Sequence, residues 1–312
     1  MRKVAVVTTG FFDGVHLGHR HVIETVVSAA RERGEEAIVI TFWPHPRTVL
    51  QQDARDFRLL SSLEEKKALL TAIGIDCVEV LPFTRKFASL KADEYLNLLK
   101  DRYNASLIIM GYDNRIGSDN KTFKDMESYW SPNPSSLRSL SLPTSLRAVG
   151  PLPFTWPRAA TGSEDQQDSI SSTSIRKALE AGEIEKANAM LGYQYGLHGV
   201  VVAGNRMGRT IGFPTANMQL YEPLKLVPQN GVYAVDVEVM GNLFRGMCNI
   251  GTRPTVGGTA RTIETHILGF NEDIYGLPLR IRFDRRIRDE RKFPSMDALK
   301  AQLEQDALIC KK

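Results

Sequence analysis

The chain has 312 residues, 42% of them hydrophobic and 24% charged, with a net charge of +4. That is room for two domains with proper cores and the composition of an ordinary soluble globular protein. So mild a charge suits small anionic substrates such as nucleotides and excludes the dense basic stripe of a nucleic-acid binder, while Cys77, Cys248 and Cys310, odd in number and scattered, argue against a disulfide framework or a zinc site and fit a reducing cytoplasm.

Val4 to Thr8 is a short β-branched run and predicts a buried strand. It breaks at Thr8-Thr9-Gly10 and meets Asp13, too soon for a signal peptide, and no other stretch approaches a membrane span. From His21 to Arg33, Val22, Ile23, Val26, Val27 and Ala30 share one helical face, and Gly34 closes the helix. Ala37–Phe42 is the next strand; Ser62 with Glu65 forms a capping-box pattern opening a helix that stops at Gly74. Cys77–Leu81 and Leu107–Met110 read as strands, with a helix near Asp93 to Tyr103 between them. Repeated strand–helix–strand units predict right-handed crossovers and a parallel, Rossmann-like sheet with helices on both faces.

Between the first strand and the first helix stands "GFFDGVHLGH", residues 10–19. It falls at the C-terminal end of the sheet, where open α/β sheets bind ligands. Gly10, Gly14 and Gly18 let the backbone approach an anion, and the helix start offers free N–H groups. His16 and His19 share the first turn and can donate to a phosphate and its leaving group. Zinc would need a third and a fourth ligand, which no Cys cluster or HExxH pattern supplies; a plain turn with two surface histidines is the weaker alternative. Trp43-Pro44-His45-Pro46 and Gly111-Tyr112-Asp113 also end strands on the ligand side, which makes His45, Asp113 and Arg115 candidate ligand contacts, with simple turn chemistry as the bland reading.

The residues 10–19 resemble the HxGH signature of the nucleotidyltransferase superfamily, whose members move an adenylyl group from ATP onto a phosphate. "ISSTSIR", residues 170–176, is similar to that superfamily's second ATP-phosphate clamp. Its hydroxyls at a helix start donate to oxyanions, and Arg176 adds a bidentate charge. The resemblance implies ATP contacts from Gly10, Phe11, Asp13, Gly14, His16, His19, Ser171, Ser172, Thr173 and Arg176.

Beyond Leu191-Gly192-Tyr193 the pattern changes. Val200–Val202, Val232–Val239, Phe244–Ile250, Thr262–Leu268 and Leu279–Phe283 are short strands separated by glycine and proline turns, predicting a small antiparallel barrel closed by a helix over about Met296 to Leu308. Gly204 to Arg209 is a glycine loop with two arginines suited to phosphate oxygens, and Thr215 and Asn217 are hard oxygen donors that suit Mg²⁺. "GRTIGFPTAN", "GVYAV", "NIGTRPTV", "ETHIL", "DIYG" and "IRDERKF" together resemble the riboflavin kinase domain.

An HxGH domain joined to that domain resembles the prokaryotic bifunctional riboflavin kinase/FAD synthetase family. The resemblance implies two domains, residues 1–185 for FMN adenylylation and 186–312 for riboflavin phosphorylation, with ATP, Mg²⁺ and riboflavin, FMN and FAD as ligands. It implies that Glu264 is the base for the ribityl hydroxyl and that Gly204, Gly208, Arg209, Gly212, Pro214, Thr215 and Asn217 hold the kinase's Mg²⁺-ATP. Arg288 and Lys292 read either as neighbours of substrate or as a solvated basic stretch.

Residues 127–168 do not fit. Serine, proline and leucine dominate, and no alternation, amphipathic helix or clean strand stands out. Either a disordered excursion or a frameshifted reading of the gene, restored before Ser169, accounts for it. The alternatives are thus a riboflavin kinase with an impaired adenylyltransferase half, another HxGH nucleotidyltransferase, or an RNA-binding protein, which would need clustered aromatics that are not there. No nucleic acid, no membrane, and a monomer or weak oligomer are expected.

Overall fold

The computed structural model describes residues 3–51, 56–111, 114–122, 125, 137–140, 170–204, 207–255 and 258–311. The chain divides into two compact units, residues 1–172 and 173–312.

The first unit holds strands β1 (Ala5–Thr9), β2 (Glu36–Trp43), β3 (Cys77–Pro82), β4 (Ala105–Gly111) and β5 (Leu137–Leu140). All pair in parallel, in the order β3-β2-β1-β4-β5. Helices α1 (Leu17–Arg33), α2 (Pro46–Leu50), α3 (Leu63–Ile73), α4 (Arg85–Ala88) and α5 (Ala92–Tyr103) connect them. Successive residues of β1 alternate between two cores. Ala5 and Val7 pack with Tyr95, Leu96 and Leu99 of α5, while Val6 packs with Val22, Ile23 and Val26 of α1 and Leu70 of α3. A strand covered on both faces must be apolar at every position, hence the unbroken β-branched run.

The helix ends follow local chemistry. Gly34 and Gly74 cap α1 and α3 in the left-handed conformation, and Ser62 and Glu65 exchange both capping-box hydrogen bonds. One expectation is corrected: within the stretch read as lacking a strand, Leu137–Leu140 adds β5 to the sheet edge beside Ile108–Gly111. Four residues paired to one neighbour need no alternation of their own. The remainder of 127–168 lies outside the described residues.

The division falls at the first residue of α6 (Ser172–Glu180), and α7 (Ile184–Leu191) follows in the second unit. Asn188 of α7 donates to the Phe283 carbonyl at 2.9 Å and accepts from the Tyr195 N–H at 2.7 Å. Strands β6 (Gly196–Val202), β7 (Ala216–Leu220), β8 (Gly231–Val239), β9 (Asn242–Thr255), β10 (Gly258–Ile267) and β11 (Pro278–Arg288) form a closed barrel in the order β10-β7-β6-β11-β8-β9. Every pairing in it is antiparallel. The sixth strand, β7, was not expected; it reads Ala-Asn-Met-Gln-Leu, without a β-branched residue, and closes the barrel by pairing Asn217 with Glu264. A short turn, α8 (Met207–Thr210), precedes it, and α9 (Met296–Cys310) packs on β8 and β9.

Candidate functional site

In the first unit the strand order reverses between β1 and β4, so a crevice opens at the C-terminal end of β1. The HxGH motif occupies that end. Its backbone is held away from ordinary conformations: Phe12, Gly14 and Val15 have φ of 53°, 78° and 38°. Glycine accepts this freely, whereas a β-branched Val15 does not, and such clusters mark functional turns. Asp13 anchors the turn. Its buried carboxylate accepts from the backbone N–H of Leu60 at 3.0 Å and of Ser61 at 3.1 Å, and the Ser61 hydroxyl accepts from the Gly14 N–H at 3.0 Å.

His16 caps α1, its Nδ1 accepting from the His19 N–H at 3.3 Å. That bond leaves Nε2 as the proton-bearing nitrogen of the neutral ring. The two imidazoles stack at 3.6 Å between centroids and 17° between planes. Burial holds His19 well below the usual 6.5, with the adjacent His16 and Lys66 pushing the same way, so the ring is neutral at physiological pH. The His19 Nδ1 is buried with no hydrogen-bond partner among the described residues.

Ser172, on the first turn of α6, donates to the Asp13 carbonyl at 3.1 Å. Ser172 of the ISSTSIR stretch is therefore tied to the backbone of the HxGH turn. Gly10 donates to the Ile40 carbonyl at 3.0 Å. Phe11 meets the His45 ring edge-on at 4.1 Å, and His45 meets Phe57 at 4.2 Å. His45 also caps α2 by accepting from the Arg47 N–H. Arg115 is exposed; its neighbour Asn114 reaches back to the Thr9 carbonyl at 3.4 Å. Asp113 lies outside the described residues.

In the second unit a cavity of about 590 Å³ is lined by Arg209, Gly212, Pro214 and Thr215, together with Thr265 and Tyr275. Arg209 donates to the Tyr275 hydroxyl at 3.4 Å, its guanidinium 5.8 Å from the ring centre. Thr215 donates to Glu264 Oε2 at 3.4 Å. Asn217 stands opposite Glu264 in the β7–β10 register. A side chain at Gly204 would come within 2.1 Å of the Asn217 amide, so only glycine lets that loop lie on Asn217. Gly208 accepts from the Phe213 N–H at 2.8 Å and closes the loop around Arg209. A hydroxyl, an amide oxygen and a carboxylate thus converge, the hard donor set that Mg²⁺ takes.

Sequence reasoning missed Lys66, Ser61, Asn114 and the wall formed by Thr265 and Tyr275. Tyr275 lies within the quoted "DIYG" but carried no assigned role. Lys66 left a trace: it follows Leu63 by three residues and precedes Leu70 by four, which puts a lysine on the apolar stripe of its helix. Arg288 is not part of a free, solvated stretch: it pairs with the buried Asp306 of α9 at 2.8 Å.

A FAD synthetase family model matches residues 1–133, and a riboflavin kinase model matches residues 191–312. The chain is 36% identical to the bifunctional riboflavin kinase/FMN adenylyltransferase of Bacillus subtilis, over 97% of this chain and 90% of that one. The chain belongs to that bifunctional family. The Escherichia coli K12 protein of the same description is 34% identical over 98% of this chain and 91% of its own. The crystal structure of a Streptococcus pneumoniae protein described as a macrolide-efflux protein superposes with a TM-score of 0.87 and 33% identity, covering 100% of this chain and 95% of that one. Among the described residues no helix is long and apolar enough to cross a membrane.

Proposed function

We propose that the two sites work in series, riboflavin kinase in the barrel and FMN adenylyltransferase at the HxGH turn. We take residues 1–185 and 186–312 as the functional domains. The observation that carries the reading is the coexistence of the stacked histidine pair at a sheet switch point with the Thr215–Glu264 contact beside a nucleotide-sized cavity.

In the kinase half, Glu264 accepts the proton of the riboflavin 5′-hydroxyl as the oxygen attacks the γ-phosphorus of ATP, and ADP leaves. Arg209 and the backbone of Gly204, Gly208 and Gly212 contact the nucleotide beside Pro214. Thr215 and Asn217 would hold Mg²⁺, which neutralises phosphate charge when bound.

In the adenylyltransferase half the FMN phosphate attacks the α-phosphorus of ATP, and pyrophosphate departs. His16, through its Nε2–H, and neutral His19 donate to the phosphoryl oxygens, while Gly10 and Gly14 let the backbone come close to the nucleotide and the α1 start offers backbone N–H groups. Ser171, Ser172, Thr173 and Arg176 bind further oxygens. Phe11 and His45 supply aromatic surface for the flavin or adenine, with Asp113 and Arg115 as the remaining flavin contacts. Asp13 acts through the turn it anchors. Positioning and charge neutralisation carry the step, with no covalent intermediate. The protein works on small molecules in the cytoplasm as a monomer or weak oligomer.

Flavin chromatography after incubation with riboflavin, ATP and Mg²⁺ tests this. The wild type yields FMN and then FAD. Glu264→Gln loses FMN formation by about 10²–10⁴-fold yet converts supplied FMN to FAD. His19→Ala accumulates FMN. A Glu264→Gln variant that phosphorylates riboflavin at the wild-type rate overturns the assignment.

A further inference from the structure

Lys66 has no exposed surface, and a buried ammonium needs a reason. Among the described residues it has no ion-pair partner within salt-bridge distance. Its Nζ donates to Thr41 Oγ1 at 3.3 Å, and that hydroxyl donates onward to the Phe11 carbonyl at 3.1 Å. The same Nζ sits 3.5 Å from the centre of the Phe11 ring. One cation thus holds both the backbone and the ring of the residue that opens the HxGH turn. Phe11 in turn bears on His45.

We propose that Lys66 is a positioning residue of the adenylyl-transfer site: through Thr41 it fixes the backbone of Phe11, and its ammonium over the ring fixes the side chain, so that Phe11 stands ready under the bound substrates. The inference rests on the adenylyltransferase reading above. Among the described residues, the charged and titratable groups around this centre are Asp13 in the turn, His16 and His19 at the start of α1, His45 against Phe11 and Lys66 on α3. Burial is the main cause that disfavours protonation of His19, with His16 and Lys66 pushing the same way, and Asp13 favours the charged form of Lys66. A neutral side chain at position 66 therefore raises the His19 midpoint, and the acid limb of FAD synthesis moves to higher pH with it.

The test compares the full-length wild type with Lys66→Met, Lys66→Arg and Thr41→Val. The His19 ring titration is followed by NMR, and kcat and KM for FAD synthesis from FMN and ATP are measured across pH. FMN formation by the same chain calibrates enzyme concentration. Lys66→Met raises the His19 midpoint, shifts the acid limb upward and lowers kcat by on the order of tenfold to a hundredfold. Lys66→Arg keeps the charge and keeps the midpoint low. Thr41→Val also keeps the midpoint low but loses kcat, because only the link to Phe11 is cut. A folded Lys66→Met with wild-type kcat for FAD synthesis overturns the inference. Should Lys66→Met fail to fold, judged by tryptophan fluorescence, Thr41→Val decides: unchanged kcat overturns the proposal, and lost kcat with an unmoved midpoint supports it. A wild type that makes no FAD would remove the adenylyltransferase reading instead, while the titration still reports on Lys66.

Discussion

Lys66 also makes the stability of the first unit depend on pH. Burial pulls its ammonium from 10.5 down to about 8, against the opposing pull of Asp13. Between about pH 8 and the unfolded value the unfolded chain binds more protons than the native one, so stability rises with pH across that window. Below about pH 8 both states hold the proton, and the full cost of burying the charge is present. All three tryptophans, Trp43, Trp130 and Trp156, fall within residues 1–172, so urea unfolding followed by their fluorescence reports this unit. The midpoint is expected to rise from pH 7.5 towards about pH 9.5, and Lys66→Met is expected to flatten the rise. A wild-type midpoint that falls over this range contradicts the assignment of the buried charge. At this scale the sequence names the residues that carry a motif, His16, His19, Thr215 and Glu264, because spacing and residue type are themselves the signal. It does not reveal Lys66, Ser61 or Asn114, whose roles come from contacts 25 to 105 residues away along the chain.

At the scale of elements, α9 shows how the barrel holds a helix by charge. Asp306 is fully buried and accepts from Arg288 Nε at 2.9 Å and from Gln302 at 2.7 Å. Arg285 donates to the Ile309 carbonyl at 2.8 Å, and Arg245 donates to that of Cys310 at 3.0 Å, cations on the last free carbonyls where the helix dipole welcomes them. Asp306→Ala would strand Arg288, whose side chain is only 17% exposed. Removing one partner of a buried pair costs about 3–5 kcal/mol, so circular dichroism in urea should show the barrel unit destabilised by that amount; an effect below about 1 kcal/mol would mean a solvated pair. Legibility at this scale follows length and caps. The helix ends at Gly34 and Gly74 and the capping box at Ser62 were readable because the chemistry is local. β5, β7 and α7 were not, because a strand of four or five residues takes its stability from its neighbour rather than from its own pattern.

At the scale of the molecule, the two reactions are consecutive: the phosphate that the barrel adds to riboflavin is the nucleophile of the second step. The two units have separate cores. Nothing in the chemistry of either step needs a covalent carrier between them, since FMN is a stable, charged, soluble product. FMN made by one molecule is therefore expected to serve the HxGH site of another. Mixing Glu264→Gln, which removes the proposed base of the first step, with His19→Ala, which removes a proposed donor of the second, should restore FAD formation from riboflavin. The rate should rise with the concentration of each variant, after a lag in which free FMN builds up. A mixture that makes FMN but no FAD, although Glu264→Gln converts added FMN, would show that the product stays with the molecule that made it. The frameshift and excursion readings of residues 127–168 meet the same assay, because FAD formation by the Glu264→Gln chain from added FMN requires a working first unit with that segment as it stands.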